Sequence, residues 1–325
     1  MGLVVLTGIV NVLRLLRVLI AKALSRRVGL AHDGDVDGVV CATLFFKAYP
    51  NSTFLLIEPY EVRSSSRWNW FNWFNWDYVA DLPKPAKVKL YVDHHPTNMD
   101  SSPFYDPTAP SAAQLAIKAL SLQEDMEMVK LVELANECDT ASITSPEAWE
   151  LNDAVKGARG VRERVKLAKW LSKEGLKALE RPEVKAWISV NRERRKRTSE
   201  LADRIPLRSL VFVEVDEEVD ASVRNLTITL ENRGVNFVCV VTPHNGRFKV
   251  HLGCRKDSGL DCAKIAAKLG GGGHRYAAAS TVNDLNKALS LILQELGLKQ
   301  TPIYRVSSRG VKEEYVSVEG GGIHV

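Results

Sequence analysis

A short apolar run that ends in an acid and two histidines constrains the fold of this chain most strongly. Residues 88–92 are rich in apolar and β-branched residues, and Asp93, His94 and His95 follow them directly. Carboxylate oxygens and imidazole nitrogens suit divalent ions such as Mn²⁺ or Zn²⁺. The alternative is an acid that caps a helix, followed by two surface histidines. Other acids at the same end of the same sheet would favour the metal site.

Strands and helices alternate along the first part of the chain. Residues 28–31 and 54–57 predict two strands, with a helix-like segment at 39–49 between them. Residues 78–80 and 89–92 predict two further strands. This alternation indicates a mostly parallel sheet, whose ligands gather outside its carboxyl edge. Acids follow three of these strands, a coincidence that a metal site explains and a purely structural sheet does not.

The composition is that of an ordinary globular protein. A length of 325 residues predicts two domains, and 45% apolar residues provide ample core. The net charge of +5 is compatible with a polyanionic partner without requiring one. The five cysteines are scattered with no paired spacing, which argues against a structural zinc site or a disulfide framework and predicts a cytoplasmic protein.

The apolar N-terminal segment resembles a signal or anchor sequence only in composition. Arg14, Arg17 and Lys22 interrupt it, and neither a basic flank before it nor a small-residue cleavage site after it is present. Large aliphatic residues recur at helical spacing, at Leu13, Leu16, Ile20 and Leu24. The sequence therefore predicts one long helix packed on the core, and no membrane partner.

Two segments leave their interpretation open. Residues 68–76 hold four of the seven tryptophans, which could cover an apolar face, stack on bases or dock a protein partner. Residues 156–204 are strongly basic and include the cluster Arg192, Arg194, Arg195, Lys196 and Arg197. This stretch could be a salt-bridged helical linker or a track for a nucleic-acid backbone.

A glycine run marks the second part of the chain, which begins at Pro206. Strands are predicted at 207–213, 237–241 and 248–253, and helices at 221–232 and 263–269. Four consecutive glycines at 270–273 then precede an alanine-rich segment predicted to be a helix. Backbone N–H groups at such a helix start would bind an anion, although a flexible linker is the alternative. Arg255 could supply a second phosphate contact.

Taken in order, these motifs resemble the DHH phosphoesterases. That superfamily includes RecJ-type exonucleases, small oligoribonucleases, phosphoadenosine-phosphate phosphatases and cyclic-dinucleotide phosphodiesterases. Residues 33–38 are similar to the first motif in its RecJ-like form, Asp81 to the second, residues 93–95 to the third and Asp139 to the fourth. Arg255 and the glycines before His274 are similar to the accessory substrate-binding domain.

The resemblance implies an α/β fold with two domains and a two-metal site. The implied domains are a catalytic domain with a mostly parallel sheet at 1–190, a basic helical linker at 191–205 and a smaller α/β substrate-binding domain at 206–325. The implied ligands of two Mn²⁺ (or Mg²⁺) ions are Asp33, Asp35, Asp37, Asp81, His94 and Asp139, with Asp81 as the bridge. Many relatives have a histidine where this chain has Ala31 or Asp33, and we favour Asp33 over His32 as the ligand.

The implied activity is hydrolysis of phosphodiester bonds by a metal-activated water. His95 is expected to contact a phosphoryl oxygen or to protonate the leaving alkoxide. The substrate is expected to bind Arg255, Gly271, Gly272, Gly273 and His274.

We expect a RecJ-like exonuclease of DNA repair that acts on single-stranded DNA or RNA, including short oligonucleotides, with a helicase or repair-protein partner at residues 68–76. One alternative is a small-nucleotide enzyme acting on phosphoadenosine phosphate or a cyclic dinucleotide. Another is a non-catalytic replication scaffold, against which the intact acids argue.

Overall fold

The computed structural model describes residues 2–63, 69–140, 143–244, 246–318 and 323–324. They divide into two compact units, Met1–Asn191 and Arg192–Val325. Most of the predicted linker at 191–205 lies in one long helix, Pro182–Ala202, which contains the division between the units.

A four-stranded parallel sheet forms the centre of the first unit. Its strands are β1 (Val28–His32), β2 (Thr53–Ile57), β3 (Trp76–Ala80) and β4 (Val88–Val92). They lie in the order β2-β1-β3-β4, and each pairing is parallel. The predicted α/β fold with a parallel sheet is confirmed. The chain leaves β1 toward β2 on one side and returns to β3 on the other, so the crevice for ligands lies at the carboxyl ends of β1 and β3.

Both faces of this sheet are buried. Phe54 and Leu56 of β2 face one core, whereas Leu55 and Ile57 face the other. A parallel sheet covered on both faces uses mainly apolar residues, which explains the apolar runs of β1 and β2. β3 and β4 each contain one charged residue, Asp77 and Lys89, and these two pair at 2.9 Å.

Helices of the first unit pack on the sheet or on one another, and the last of them continues into the second unit. They are α1 (Gly2–Ala23), α2 (Val36–Ala48), α3 (Pro59–Arg63), α4 (Trp70–Trp73), α5 (Ala112–Ala119), α6 (Met126–Asp139), α7 (Pro146–Gly157), α8 (Val161–Glu174) and α9 (Pro182–Ala202). Short 3₁₀ turns occur at Pro96–Asn98 and Gly175–Glu180. None of the helices in the described ranges is long and apolar enough to cross a membrane.

The N-terminal helix forms as predicted, but a different face of it packs on the core. Val18 and Ala21 are buried against the sheet, with Leu15 beside them. The predicted stripe of Leu13, Leu16, Ile20 and Leu24 faces solvent instead. Periodicity located the helix correctly. It selected the wrong face because aliphatic residues occupy almost the whole circumference.

The tryptophan-rich segment mostly fills the core under α1. Trp70, Phe71, Phe74 and Trp76 are buried in one cluster, and the Trp76 indole donates a hydrogen bond to the Phe71 carbonyl at 2.8 Å. Trp73 is 51% exposed, and Trp68 lies outside the described residues. Aromatic cover of an apolar face is therefore the main role of the described part of this segment.

The second unit is built on an eight-stranded mixed sheet. Its strands are β5 (Leu210–Val215), β6 (Phe237–His244), β7 (Arg247–Cys254), β8 (Gly272–His274), β9 (Ala277–Val282), β10 (Gln300–Ser307), β11 (Gly310–Ser317) and β12 (Ile323–His324). The order is β12-β11-β10-β5-β6-β7-β9-β8, and only the two pairings of β5 are parallel among the described strands. The helices are α10 (Val223–Asn232), α11 (Cys262–Lys268) and α12 (Leu285–Glu295).

The glycine run does not begin a helix, which corrects the sequence prediction. Gly270 has φ +74° and ends α11, and the N–H of Gly271 bonds back to the Ala266 carbonyl at 2.8 Å. The chain then enters β8, and the alanine-rich segment is strand β9. A Cβ on Gly271 would lie 2.1 Å from the Ala279 carbonyl oxygen, so no side chain fits there. These glycines therefore end a helix and permit a close pairing of two strands. Residues 270–279, all of which the structure describes, contain no helix N-terminus that could bind an anion.

Trp76 and Trp73 provide a test of the burial of the tryptophan-rich segment of the first unit. Trp76→Ala should lower the free energy of unfolding by about 3–5 kcal/mol, because it empties a fully buried site. Trp73→Ala should change it by less than about 1 kcal/mol, because that side chain is half exposed. Urea denaturation of both variants measures the difference, and equal losses would contradict the placement.

Candidate metal centre

Two groups of ligand-type side chains meet at the carboxyl edge of the parallel sheet. The first group is His32, Asp35 and Asp81, and the second is Asp37, His94 and Asp139. Within each group the ligand atoms lie within 4.8 Å of one another. They come from the ends of β1, β3 and β4, the start of α2 and the end of α6, so segments far apart in sequence build one site.

Asp81 lies between the two groups. Its Oδ2 is 3.4 Å from His32 Nδ1, and its Oδ1 is 4.0 Å from His94 Nε2. The residue is buried and has φ +53°, a left-handed conformation that non-glycine residues rarely adopt. Such conformations persist where the surroundings impose them, often at functional sites. One carboxylate therefore reaches both groups, as a bridging ligand must.

The orientation of His94 is fixed by a backbone carbonyl. Its Nδ1 lies 3.1 Å from the carbonyl oxygen of Ala109. A carbonyl only accepts, so Nδ1 carries the proton and the lone pair of the neutral ring is on Nε2. That Nε2 lies 3.6 Å from Oδ2 of both Asp37 and Asp139. This is the arrangement by which proteins present an imidazole to a metal.

Asp37 is anchored at the N-terminus of α5. Its two oxygens accept backbone N–H groups of Ala112 and Ala113, both at 2.7 Å. Burial nevertheless raises the pKa of Asp37 to about 7; the nearby His94 opposes the rise, whereas Asp139 and Asp35 add to it. Without a cation, this carboxylate is therefore hard to ionise.

The surrounding carboxylates show the same excess of negative charge. Burial raises the pKa of Asp81 well above its usual range, and repulsion from Asp37 and Asp35 raises it further. Asp35 caps α2 by accepting the Gly38 N–H at 2.9 Å. His32 lies 2.6 Å from Asp35. Burial raises the pKa of Asp35, but the interaction with His32 outweighs that effect and holds the pKa of Asp35 below its usual range. Buried, mutually repelling carboxylates with one imidazole in each group fit two divalent cations.

Asp33 lies apart from these groups, contrary to its predicted role as a ligand. Both of its oxygens bind the Arg164 guanidinium of α8, at 2.6 and 2.9 Å. His32, which the sequence interpretation ranked below Asp33, lies in the first group instead. Only Asp33 and Gly34 separate His32 from the helix cap Asp35. That short turn is the signal in the sequence that could have favoured the histidine.

Asp93 supports His95. It is fully buried and accepts the backbone N–H groups of His94 and His95, the hydroxyl of Tyr91 at 2.8 Å and the amide of Asn98 at 2.7 Å. Burial raises its pKa, but these hydrogen bonds and the His95 ring outweigh that effect and leave the pKa low. His95 Nδ1 lies 3.0 Å from Asp93 and 3.4 Å from Asp81 Oδ1. The motif predicted no separate role for Asp93, and the structure shows it as the partner of His95.

The predicted substrate-binding residues belong to the second unit. His274 pairs with Ala277, and Ala277 pairs with Gly253 on β7, so Arg255 follows at the same end of the sheet. The Arg255 side chain is bound to Asp257 through two contacts, at 2.6 and 2.9 Å. The register therefore brings Arg255 and His274 to one edge of the sheet, and an incoming phosphate would compete with Asp257 for the guanidinium.

Comparison with known proteins gives matches in structure only. No family model matches the chain, and no curated protein matches its sequence. The pGpG-specific phosphodiesterase PggH from Vibrio cholerae aligns with a TM-score of 0.60 at 19% identity, over 83% of this chain and 99% of that one. The DHH domain of a protein described as a member of a family of ribosomal proteins aligns with a TM-score of 0.57 at 13% identity, over 85% and 88%.

A third solved structure aligns over a similar span. It is an exopolyphosphatase-related protein from Bacteroides fragilis, with a TM-score of 0.51 at 14% identity, over 84% of this chain and 92% of that one. The chain has the fold of the DHH-domain proteins. The resemblance predicted from its motifs is confirmed at the level of the fold.

Paired substitutions at the first motif test which residue belongs to the site. His32→Ala should weaken Mn²⁺ binding at least tenfold, roughly the loss of one ligand or its support. Asp33→Ala should leave Mn²⁺ affinity nearly unchanged but lower the free energy of unfolding by about 3 kcal/mol, because Arg164 loses its partner. Calorimetric titration and urea denaturation separate the two effects. The opposite pattern would restore Asp33 as the ligand.

The raised pKa of Asp37 predicts pH-dependent metal binding. The carboxyl is protonated below about pH 7 and must lose its proton to bind a cation. The apparent Mn²⁺ affinity should therefore fall by roughly tenfold or more for each pH unit below 7. Titration in buffers with different ionisation enthalpies would count the released proton. An affinity that stays constant from pH 5.5 to pH 8 would contradict the assignment.

Proposed function

We propose that this protein is a metal-dependent phosphodiesterase that acts on nucleotide substrates, with short single-stranded oligonucleotides as the main class. The observation that carries the proposal is the pair of ligand groups joined by Asp81 at the carboxyl edge of the sheet. The fold of the DHH-domain proteins supports the same reaction class.

The ligand set supports Mn²⁺ or Mg²⁺ as the cofactor. The first group would hold one ion through His32 and Asp35, the second would hold another through Asp37, His94 and Asp139, and Asp81 would serve both. Two such ions would lower the pKa of a bound water and neutralise charge on the phosphoryl oxygens. The protein supplies the fixed positions, because helix caps, backbone N–H groups and the Ala109 carbonyl hold the ligands in place.

His95 is the proposed proton carrier. Asp93 holds its Nδ1, so proton exchange with a substrate would run through Nε2. A carboxylate beside an imidazole fixes the tautomer and orientation of the ring, so Nε2 is the atom that can exchange a proton with a leaving alkoxide. Asp93 then acts as a positioning residue for His95.

Substrate length separates the two candidate functions. The basic cluster favours long single strands, as in a RecJ-like exonuclease. However, Arg194 and Arg197 both pair with Asp220, at 2.6 and 3.0 Å, which leaves less positive charge for a nucleic-acid backbone. The PggH alignment covers nearly all of an enzyme described as specific for pGpG, a dinucleotide. Both observations favour short substrates over long strands.

A helicase or repair-protein partner at residues 68–76 is supported by little exposed aromatic surface. Of the aromatic side chains described there, Trp73 is the exposed one, so a docked protein would contact chiefly that residue. Trp73→Ala is the suitable variant for a pull-down, because Trp70 is part of the core.

The first functional test is hydrolysis of end-labelled oligonucleotides of graded length with Mn²⁺. Short oligonucleotides should be degraded to mononucleotides, and His95→Ala should lower kcat by about 100-fold or more while Mn²⁺ affinity stays within threefold. Phosphoadenosine phosphate and cyclic dinucleotides serve as competing substrates. Turnover of those alone would reject the proposal in favour of the small-nucleotide alternative. No turnover of any substrate by the Mn²⁺-loaded protein would favour the scaffold.

The second functional test concerns the basic cluster. With Arg194, Arg195 and Arg197 changed to Gln, hydrolysis of short oligonucleotides should change by less than about twofold. Affinity for a long strand should fall, and its dependence on salt should flatten. The matched control changes Lys87, Lys118 and Lys130, on the first unit, to Gln. A large loss of short-substrate activity in the Arg variant alone would show that this helix contacts the reacting end.

A further inference from the structure

An aliphatic stripe covers the solvent-facing side of α1. Its side chains are between 46% and 60% exposed, and they are Val12, Leu13, Leu16, Leu19, Ile20 and Leu24. At 100° per residue they occupy a continuous arc of roughly 140°. A patch of this kind on a folded domain marks an interaction surface more often than chance exposure. We call it the outer stripe.

The opposite side of α1 is already fixed to the protein. Val18 and Ala21 are buried against the sheet. Arg14 binds Glu61 at 2.6 Å, and Lys22 binds Asp77 at 2.5 Å. These contacts set the rotation of the helix, so the outer stripe cannot turn inward without breaking both ion pairs. The outer stripe is therefore available to a partner from outside the unit.

A rim of cations surrounds Arg17, which borders the outer stripe on α1. It comprises Arg17 in α1, Arg26 shortly after the end of α1, and Arg162, Lys169 and Lys173 on α8. Within the described residues none of the five is in an ion pair with a carboxylate. Partial burial and repulsion by Arg162 lower the pKa of Arg17. Burial, followed by repulsion from Arg17, Lys173 and Arg26, lowers the pKa of Lys169. The rim is therefore an unbalanced positive edge.

We propose that the outer stripe and its cationic rim dock on the surface of an anionic lipid bilayer, with α1 lying in the plane of the headgroups. An apolar helix face bordered by Lys and Arg is the pattern of such interfacial helices. Aliphatic side chains would enter the acyl boundary while the rim meets lipid phosphates. The interrupting charges of α1 argue against a span or a cleaved leader, which a helix lying in the headgroup plane does not require, and the stripe predicted to be in the core is exposed.

A second copy of the chain fits this surface less well. In an antiparallel pairing of two α1 helices, the rim of one copy would meet the rim of the other. Five cations would then face five cations across the contact, which costs free energy that an anionic surface would instead supply. The charge of the rim therefore favours lipid over self-association.

Vesicle flotation of the full chain tests the proposal without reference to catalysis. The protein should float with vesicles of phosphatidylglycerol and phosphatidylcholine, and much less with phosphatidylcholine alone. Leu16→Ser plus Ile20→Ser should reduce binding by roughly tenfold or more, because two side chains no longer enter the acyl boundary. Arg17, Lys169 and Lys173 changed to Gln should reduce it by about fivefold for each charge removed.

Matched controls use exposed residues on other surfaces of the first unit. Met126→Ser plus Val190→Ser removes comparable exposed apolar groups, and Lys87, Lys118 and Lys130 changed to Gln remove the same charge. Both should bind vesicles like the original chain. Absence of flotation would overturn the proposal, as would binding that survives the change of Leu16 and Ile20. Light scattering that shows a dimer lost in the same double variant, with no vesicle binding, would assign the stripe to a second copy.

Discussion

Repulsion among buried carboxylates is the constraint on which the rest of the first unit depends. Asp37 and Asp81 are held out of water at one sheet edge, and burial and repulsion from neighbouring carboxylates raise the pKa of both. The protein offsets part of this cost with N–H groups at the start of α5 and with the imidazole of His94. The remainder would favour cation binding, since a divalent ion would convert an unfavourable cluster into a set of ligands.

The sequence was sufficient for the sheet and for most of the cluster. Each strand of the first unit is mostly apolar, and acids or histidines follow most of them directly, so the parallel order alone brings Asp81 and His94 to one edge. Asp139 required a different signal, a polar residue at the end of a long amphipathic helix. The short turn before Asp35 favours His32, but the contact that removes Asp33 from the site comes from Arg164, more than a hundred residues away in sequence.

Two sequence predictions were wrong where the same residues are compatible with two different structures. An alanine-rich segment after glycines suits a helix, yet Ala277–Val282 pairs as a strand because β7 and β8 lie on either side of it. The aliphatic residues of α1 satisfy a helical period on more than one face, and ion pairs to Glu61 and Asp77 decide which face is inside. Contacts with residues distant in sequence, which no local pattern contains, determine both the strand and the buried face of α1.

The anchoring of Asp37 also has a consequence for side-chain length. Its carboxylate spans a fixed gap between α2 and the first turn of α5 while it lies 3.6 Å from His94. Glutamate has the same charge but one more methylene, and it would either push α5 outward or fold back from the imidazole. The position therefore requires the side-chain length of aspartate as well as its charge. The distance between α2 and α5 is matched to the shortest acidic side chain.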